Sequence, residues 1–325
     1  MIDFFVLGSG ISGSTIANLL NKKYSTEIID KAKGIGGRSS NKKMNKSVTF
    51  DHGLQYYQPN NKKFKSYLKT LIEKKVLKIW TGNHIDFTFK KREQSHKIIG
   101  VKGNNDLNKY LLKNIKKNLD QEISNIKFKK SYWEIIGKNS KFKSRNIVIT
   151  FPFFQTKKIA KKYLNQNFLD LKVQMSPNIT LLIEQKTKHK VPISSIKLNN
   201  KKISWAANEN SKKRFSSSNN YWTIQASNNY SKKIINIYKK KKNYFSKELI
   251  KEFSNITGLK YSSFKVFKIH GWKYSYNHIG SSEECYWDSN LRIGLCGDWF
   301  IGPKAESAWL SANSLFKKIK KNPPK

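Results

Sequence analysis

The first thirty residues constrain this chain most. Phe4–Leu7 is an apolar run of strand length that ends in Gly8-Ser9-Gly10-Ile11-Ser12-Gly13, a G-x-G-x-x-G match. Ile11–Leu20 carries apolar residues at 11, 16, 17, 19 and 20, which is helical spacing, and Glu27–Ile29 is a second short strand closing on Asp30. Glycine patterns of this kind arise by chance. The strand before it, the helix after it and the acid twenty-two residues beyond Gly8 make this one specific for a dinucleotide-binding βαβ unit. In such a unit Gly8 makes the tight turn, Gly10 lets the backbone approach a pyrophosphate, and Gly13 lets helix and strand pack closely. The amides at the helix start, around Ser12, face the anion. Asp30 is expected to accept hydrogen bonds from the ribose hydroxyls, and Lys31 beside it is counted as a cofactor contact.

The remainder of the chain must build around that unit. A length of 325 residues suits about two domains, and 38% hydrophobic with 13% aromatic content suits a packed core. Helices are expected over Asn61–Lys78, Asn105–Lys117 and Ser246–Ser254, the second with Leu107, Leu111, Leu112 and Ile115 on one face. Strands are expected at Ile85–Phe89, Asn146–Phe151 (halted by Pro152), Ile179–Ile183 and Tyr221–Ala226. The end of the chain returns to strand, glycine and helix: Leu291–Cys296, Gly297, then Ala305–Lys318.

Cys285 and Cys296 are the only cysteines. Their spacing fits neither a metal knuckle nor a disulfide framework, so no metal site and a reducing, cytoplasmic setting are expected. The longest apolar run, Ile147–Phe154, is far short of the roughly 20 residues that span a bilayer. The balance of 64 basic against 21 acidic residues gives a net charge of +43. Such a charge attracts polyanions without specificity. The lysines are spread along the chain, as in Lys42-Lys43, Lys157-Lys158, Lys212-Lys213 and Lys239–Lys242. That spread predicts a solvated basic surface with weak polyanion binding rather than a specific nucleic-acid site.

A second glycine turn, Gly34-Ile35-Gly36-Gly37-Arg38, follows the acid, and arginine is scarce here against lysine. Further on stand Phe50-Asp51-His52-Gly53-Leu54-Gln55-Tyr56-Tyr57, Trp205-Ala206-Ala207, Gly294-Leu295-Cys296-Gly297-Asp298-Trp299 and Glu306–Ser311. Together with the first glycine motif, these segments resemble the renalase-like NAD/FAD-dependent oxidoreductases of the flavin amine oxidase class. Departures exist: Asp30 stands where glutamate is more usual, and Ser307 where glycine is common.

The resemblance implies an α/β protein in which a Rossmann-like FAD-binding domain is interrupted by an α+β substrate domain on a mixed or antiparallel sheet. The expected division is 1–58, 96–154 and 285–325 for the cofactor domain, and 59–95 and 155–284 for the substrate domain. FAD is expected to be held without a covalent bond. Gly37 and Arg38 would meet its pyrophosphate, the arginine through a charge-assisted contact. Gly297 and Asp298 would meet the ribityl chain. The helix start at Ala305 and Glu306 would aim its positive end at the flavin O2 edge. Gly53, His52, Gln55 and Tyr56 are expected to face the isoalloxazine, and Trp205, Trp272 and Tyr274 to line a substrate pocket.

The implied reaction is hydride transfer to flavin N5 with dioxygen as acceptor, which needs orientation and exclusion of water more than acid–base groups. No catalytic triad is visible. The expected substrate is a small anionic species, a dihydronicotinamide, whose phosphates suit a basic pocket. A flavin-dependent amine oxidase is the alternative; a non-enzymatic basic binding protein on the same scaffold is a third.

Overall fold

The computed structural model describes residues 1–325 except 46, 88–90, 93–96, 139, 188–190, 282 and 325. Two sheets organise the chain. The apolar strand Ile2–Leu7 lies parallel to Thr26–Ile29 on one side (Phe4 opposite Thr26, Leu7 opposite Ile29) and to Lys141–Ile149 on the other. Lys116–Asn118 extends the parallel set beyond Thr26–Ile29, and Ile293–Leu295 extends it beyond Lys141–Ile149. The long strand Lys141–Ile149 serves two neighbours along its other edge. Its first half pairs antiparallel with Tyr132–Gly137 and its last three residues pair parallel with Ile293–Leu295. Ile123–Lys129 and Tyr286–Asp288 complete this eight-stranded sheet.

Both faces of the parallel strands are apolar, as a sheet covered on two sides requires. Phe4, Val6, Ile28 and Val148 pack under the helices Ile11–Leu20 and Ala305–Lys321, against Ile16, Ala312 and Leu315. Phe5, Leu7, Ile147 and Ile149 face the other way, onto Trp133, Phe153 and Trp299. The second sheet has seven strands in the order Phe264–Asn277, Met175–Gln185, Asn220–Ala226, Ile203–Asn208, Ser195–Lys197, His84–Asp86 and Lys91–Arg92. It is antiparallel except where Ser195–Lys197 meets His84–Asp86. Its core face packs Ile179, Leu181, Trp222 and Ile224 against Leu249 and Phe253 of the helix Lys242–Thr257.

Two helices end earlier than their apolar spacing suggests. The first runs Lys62–Glu73, capped by Asn61, whose side chain accepts from the amides of Lys63 and Phe64. Lys75 then adopts φ +56°, and Leu77–Trp80 leaves as a strand paired with Lys97–Gly100. The second helix stops at Leu111, and Lys116–Asn118 becomes an edge strand. The apolar residues expected on one helix face are all buried, but in two cores: Leu107 and Leu111 with Phe64 and Leu68, Leu112 and Ile115 with Phe4 and Ile28. The expected strand Ile85–Phe89 is the short His84–Asp86; Phe89 lies outside the described residues. No helix among the described residues is long and apolar enough to cross a membrane.

Candidate functional site

One cleft of about 460 Å3 lies between the sheets, and residues from widely separated parts of the chain line it. Its floor is the first glycine loop. A Cβ on Gly13 would stand 1.8 Å from the Gly8 carbonyl oxygen, so only glycine lets this helix and strand meet. Gly8 turns at φ +108°, outside the range of ordinary side chains. Gly10 differs: a Cβ there would meet nothing within 4 Å. The space in front of it is open, and the helix behind it starts without a side-chain cap. Its first amides are therefore available to an anion.

The C-terminal helix Ala305–Lys321 also starts uncapped, and Lys304, Ala305 and Glu306 line the same cleft as Gly10, Ile11 and Ser12. Two helix N-termini thus converge on one space, each carrying the partial positive charge of its macrodipole. Ser12 ties them together by donating its hydroxyl to the Ala308 carbonyl at 3.0 Å. One oxygen of the Glu306 carboxylate accepts from the amides of Asn60 and Asn61 at 2.7 Å each.

Arg38 and Asp298, assigned above to different parts of a cofactor, form a bidentate ion pair at 2.7 and 2.5 Å. Arg38 Nη1 also donates to the Ser275 carbonyl, so the pair joins the glycine turn, the C-terminal segment and the second sheet. Gly37, at φ +52°, sets that turn against the first glycine loop, where its Cβ would come within 3.1 Å of Gly10 Cα. Asp30 lies outside the cleft lining. Its carboxylate accepts from the Ser9 amide (2.7 Å), the Ser9 hydroxyl (2.6 Å) and the Ala32 amide (2.8 Å). A carboxylate has about four lone-pair sites, so with three of them used Asp30 mainly fixes the glycine turn. Lys31 is exposed beyond it and does not reach the cleft.

The opposite wall is aromatic. Tyr56, Trp205 and Trp272 line it, with the Tyr56 and Trp205 rings 5.4 Å apart. The ammonium of the fully buried Lys97 sits 4.4 Å from the Tyr56 ring centre. Gly53 is pressed between Arg38 and Trp272; a Cβ there would stand 2.0 Å from the Arg38 carbonyl oxygen. Gln225, absent from the sequence reading, donates to the Gly53 carbonyl at 2.7 Å and fixes this wall from the second sheet.

Two expected positions change. Tyr274 does not line the cleft but stacks on Phe154, with ring centres 5.5 Å apart. The register of its strand shifts between Trp272 and Tyr276, which upsets the alternation that would have aimed Tyr274 with them. Tyr276 lines the cleft instead. His52 lies behind the wall, its ring 5.1 Å from that of Trp272 and 5.2 Å from that of His270. Burial, then the neighbouring His270, hold the His52 imidazole down to about 4; burial, then Lys268, hold His270 down to about 4. Both are neutral at pH 7.

A buried charge cluster stands behind the same loop. Asp51 accepts from Lys212 at 2.8 Å and from Arg214 at 2.5 Å, and Lys212 also pairs with Glu209 at 2.9 Å. Lys212, Glu209 and Asp51 have no exposed side-chain surface. Burial alone would raise the Asp51 carboxyl, but Arg214 and Lys212 hold it well below the usual carboxylate range. Lys212-Lys213 reads in the sequence as one more surface doublet; only Lys213 is exposed. The available signal was Arg214, one of the scarce arginines, close after the acid Glu209.

A family model described as an NAD(P)-binding Rossmann-like domain matches residues 6–71. Over the whole chain the structure is similar to a putative protoporphyrinogen oxidase from Exiguobacterium sp. 255-15, with a TM-score of 0.72, 10% identity and 98% of both chains covered. It is also similar to a putrescine oxidase variant redesigned in its cofactor binding (TM-score 0.69, 8% identity, 98% of both chains). Cyclohexylamine oxidase from Brevibacterium oxydans IH-35A superposes at a TM-score of 0.63, with 11% identity over 98% of this chain and 99% of that one. At such identities the likeness is one of architecture. The chain has a mixed α/β fold built on a Rossmann-like N-terminal unit, with the overall architecture of these oxidases.

Proposed function

We propose that this chain is an FAD-dependent oxidoreductase that oxidises a small, planar, reduced substrate. The observation that carries this reading is the convergence on one cleft of two uncapped helix starts and the Arg38–Asp298 pair, opposite a wall of Tyr56, Trp205 and Trp272. The open space before Gly10 fits a pyrophosphate; the uncapped start at Ala305 fits the electron-rich edge of a flavin. Segments 1–58, 96–154 and 285–325 would hold the cofactor, and 59–95 and 155–284 would cover it. FAD, when bound, supplies a two-electron acceptor that takes hydride and is reoxidised by dioxygen.

The protein's own part is positional. Arg38 and Asp298 join both sheets at the cleft, and the Gly53–Tyr56 segment, pinned by Gln225, sets the aromatic wall at a fixed distance. Such a wall orients a flat substrate and excludes water. The two carboxylates in the cleft lining are both committed, Asp298 to Arg38 and Glu306 to backbone amides. A cationic amine meets two carboxylates among the described residues of the lining, one of them already neutralised by Arg38, whereas an anion meets a strongly basic protein. That favours a phosphate-bearing dihydronicotinamide over an amine. The amine oxidase reading retains one supporting observation, the close Tyr56–Trp205 pair, which could flank a neutral amine.

Anaerobic stopped-flow bleaching of the flavin separates the two readings. Dihydronicotinamide isomers should bleach it faster than primary and secondary amines. Their apparent second-order rate should fall between 0.1 M and 1 M salt, where the Debye length drops from about 10 to about 3 Å, while the limiting rate holds. Faster bleaching by amines would overturn the preferred substrate. A protein that takes up no FAD on reconstitution would overturn the function.

A further inference from the structure

Large apolar side chains stand in solvent around the mouth of the cleft. Tyr276 lines the cleft and is 42% exposed. Two positions back on the same strand, Tyr274 stacks on Phe154, itself 42% exposed, with ring centres 5.5 Å apart. Just after the strand, Ile279 is 55% exposed. The loop that carries it is fixed to the chain entering the cleft. Ser281 donates its amide to the Phe300 carbonyl at 2.6 Å, and a Cβ on Gly280 would stand 2.3 Å from the Ile301 carbonyl oxygen. Pro303 and Lys304, which follow, line the cleft. Single exposed apolar side chains are ordinary, but a group of them around one opening marks an interaction surface.

The surroundings of this group are basic. Phe154 and Lys158 lie four apart on the helix Phe153–Ala160 and so share a face. The Lys273 ammonium is 5.6 Å from the Tyr274 ring centre, and Lys158, Lys273 and Lys304 are all exposed. The sequence has no Asp or Glu between Glu134 and Asp170, or between Glu252 and Glu283, the two stretches that supply Phe154, Tyr274, Tyr276 and Ile279. The partner must therefore be anionic and must also offer hydrocarbon. A nucleic acid could stack on the tyrosines but gives Ile279 nothing to enter. A lipid surface answers both needs: aromatic rings settle at the headgroup level, an aliphatic tip reaches the acyl boundary, and each lysine near anionic headgroups strengthens binding about fivefold. We propose that this rim docks on an anionic lipid surface, with the mouth of the cleft at the headgroup layer. The inference goes beyond the reading of the cleft as an FAD site and does not depend on the substrate.

The test is sedimentation of the full chain, as purified, with vesicles of phosphatidylcholine alone and of phosphatidylcholine mixed with phosphatidylglycerol. At about 0.1 M salt the mixed vesicles should bind at least about tenfold more tightly than the neutral ones. The double variant Phe154→Ser/Ile279→Ser should weaken binding to mixed vesicles about tenfold or more, yet bind heparin, a polyanion without acyl chains, within about twofold of the parent. Lys158→Gln/Lys273→Gln should weaken vesicle binding about 25-fold. All four side chains are at the surface, and thermal midpoints show that the variants are folded. No binding to mixed vesicles would overturn the proposal. So would an apolar double variant with unchanged vesicle affinity, because charge alone would then account for the binding. A parallel loss of affinity for heparin or single-stranded DNA would overturn it in favour of a nucleic-acid surface. Vesicle binding as expected by a protein that takes up no FAD would leave the docking surface standing and sink the functional reading above.

Discussion

Replacing Lys212 by methionine tests the buried charge cluster. Lys212 lies between Asp51 and Glu209 at 2.8 and 2.9 Å, all three side chains without exposure, and its ammonium is 5.1 Å from the Trp80 ring centre. In Lys212→Met the Asp51 carboxylate keeps Arg214, but Glu209 is left with the Thr223 hydroxyl alone. Removing one partner of a buried ion pair costs about 3–5 kcal/mol, because the other charge stays buried and uncompensated. With an unfolding entropy of about 2.1 cal/mol/K per residue over 325 residues, that corresponds to a thermal midpoint about 4–7 °C lower.

The pH dependence carries the stricter test. Burial already raises the Glu209 carboxyl above its ordinary value of 4.5, against the opposing pull of Lys212. Without Lys212 it must rise further. A carboxyl whose folded pKa exceeds its unfolded one contributes stability that is complete below the unfolded value and lost as pH rises through the folded value. The Lys212→Met penalty should therefore be larger at pH 8 than at pH 5, in urea melts followed by tryptophan fluorescence. Adding Glu209→Gln, which removes the stranded charge and keeps a partner for Thr223, should recover most of the loss. A penalty that is the same at both pH values, or a double variant whose loss equals the sum of the singles, would refute the reasoning.

Three further outcomes are expected. Gly10→Val should abolish FAD retention and leave the apoprotein's thermal midpoint nearly unchanged, since a Cβ there meets only open space; a variant that keeps its flavin would count against the phosphate loop. Acid precipitation should release yellow cofactor into the supernatant, because Cys285 is packed with Val148 and Leu315 away from the cleft and burial pushes its thiol up to about 11; flavin retained in the pellet, and lost in Cys285→Ala, would contradict this. His52 and His270, neutral when folded, contribute stability that is present above their ordinary 6.5 and lost as pH falls toward about 4. His52 alone should account for about 3 kcal/mol at most, so His52→Gln should flatten the fall in stability between pH 6.5 and 4, and an unchanged slope would count against the shift.

The glycine loop was legible in the sequence because its demands are local. A glycine whose Cβ would collide with the Gly8 carbonyl, or whose φ is +108°, can be nothing else, and strand, helix and acid fall at fixed offsets around it. The strand cores were legible for the same reason, since burial on two faces leaves uninterrupted apolar runs. The helix ends at Glu73 and Leu111 were not, because Leu112 and Ile115 are buried by a strand edge where the spacing implied a helix face. Nor could the sequence show that Arg38 and Asp298, 260 positions apart, would neutralise one another. It also gave Lys212 and Lys213 the same appearance, although one is sealed between two carboxylates and the other stands in water. Local sterics can be read along the chain. Which charge meets which depends on segments that only the folded structure brings together.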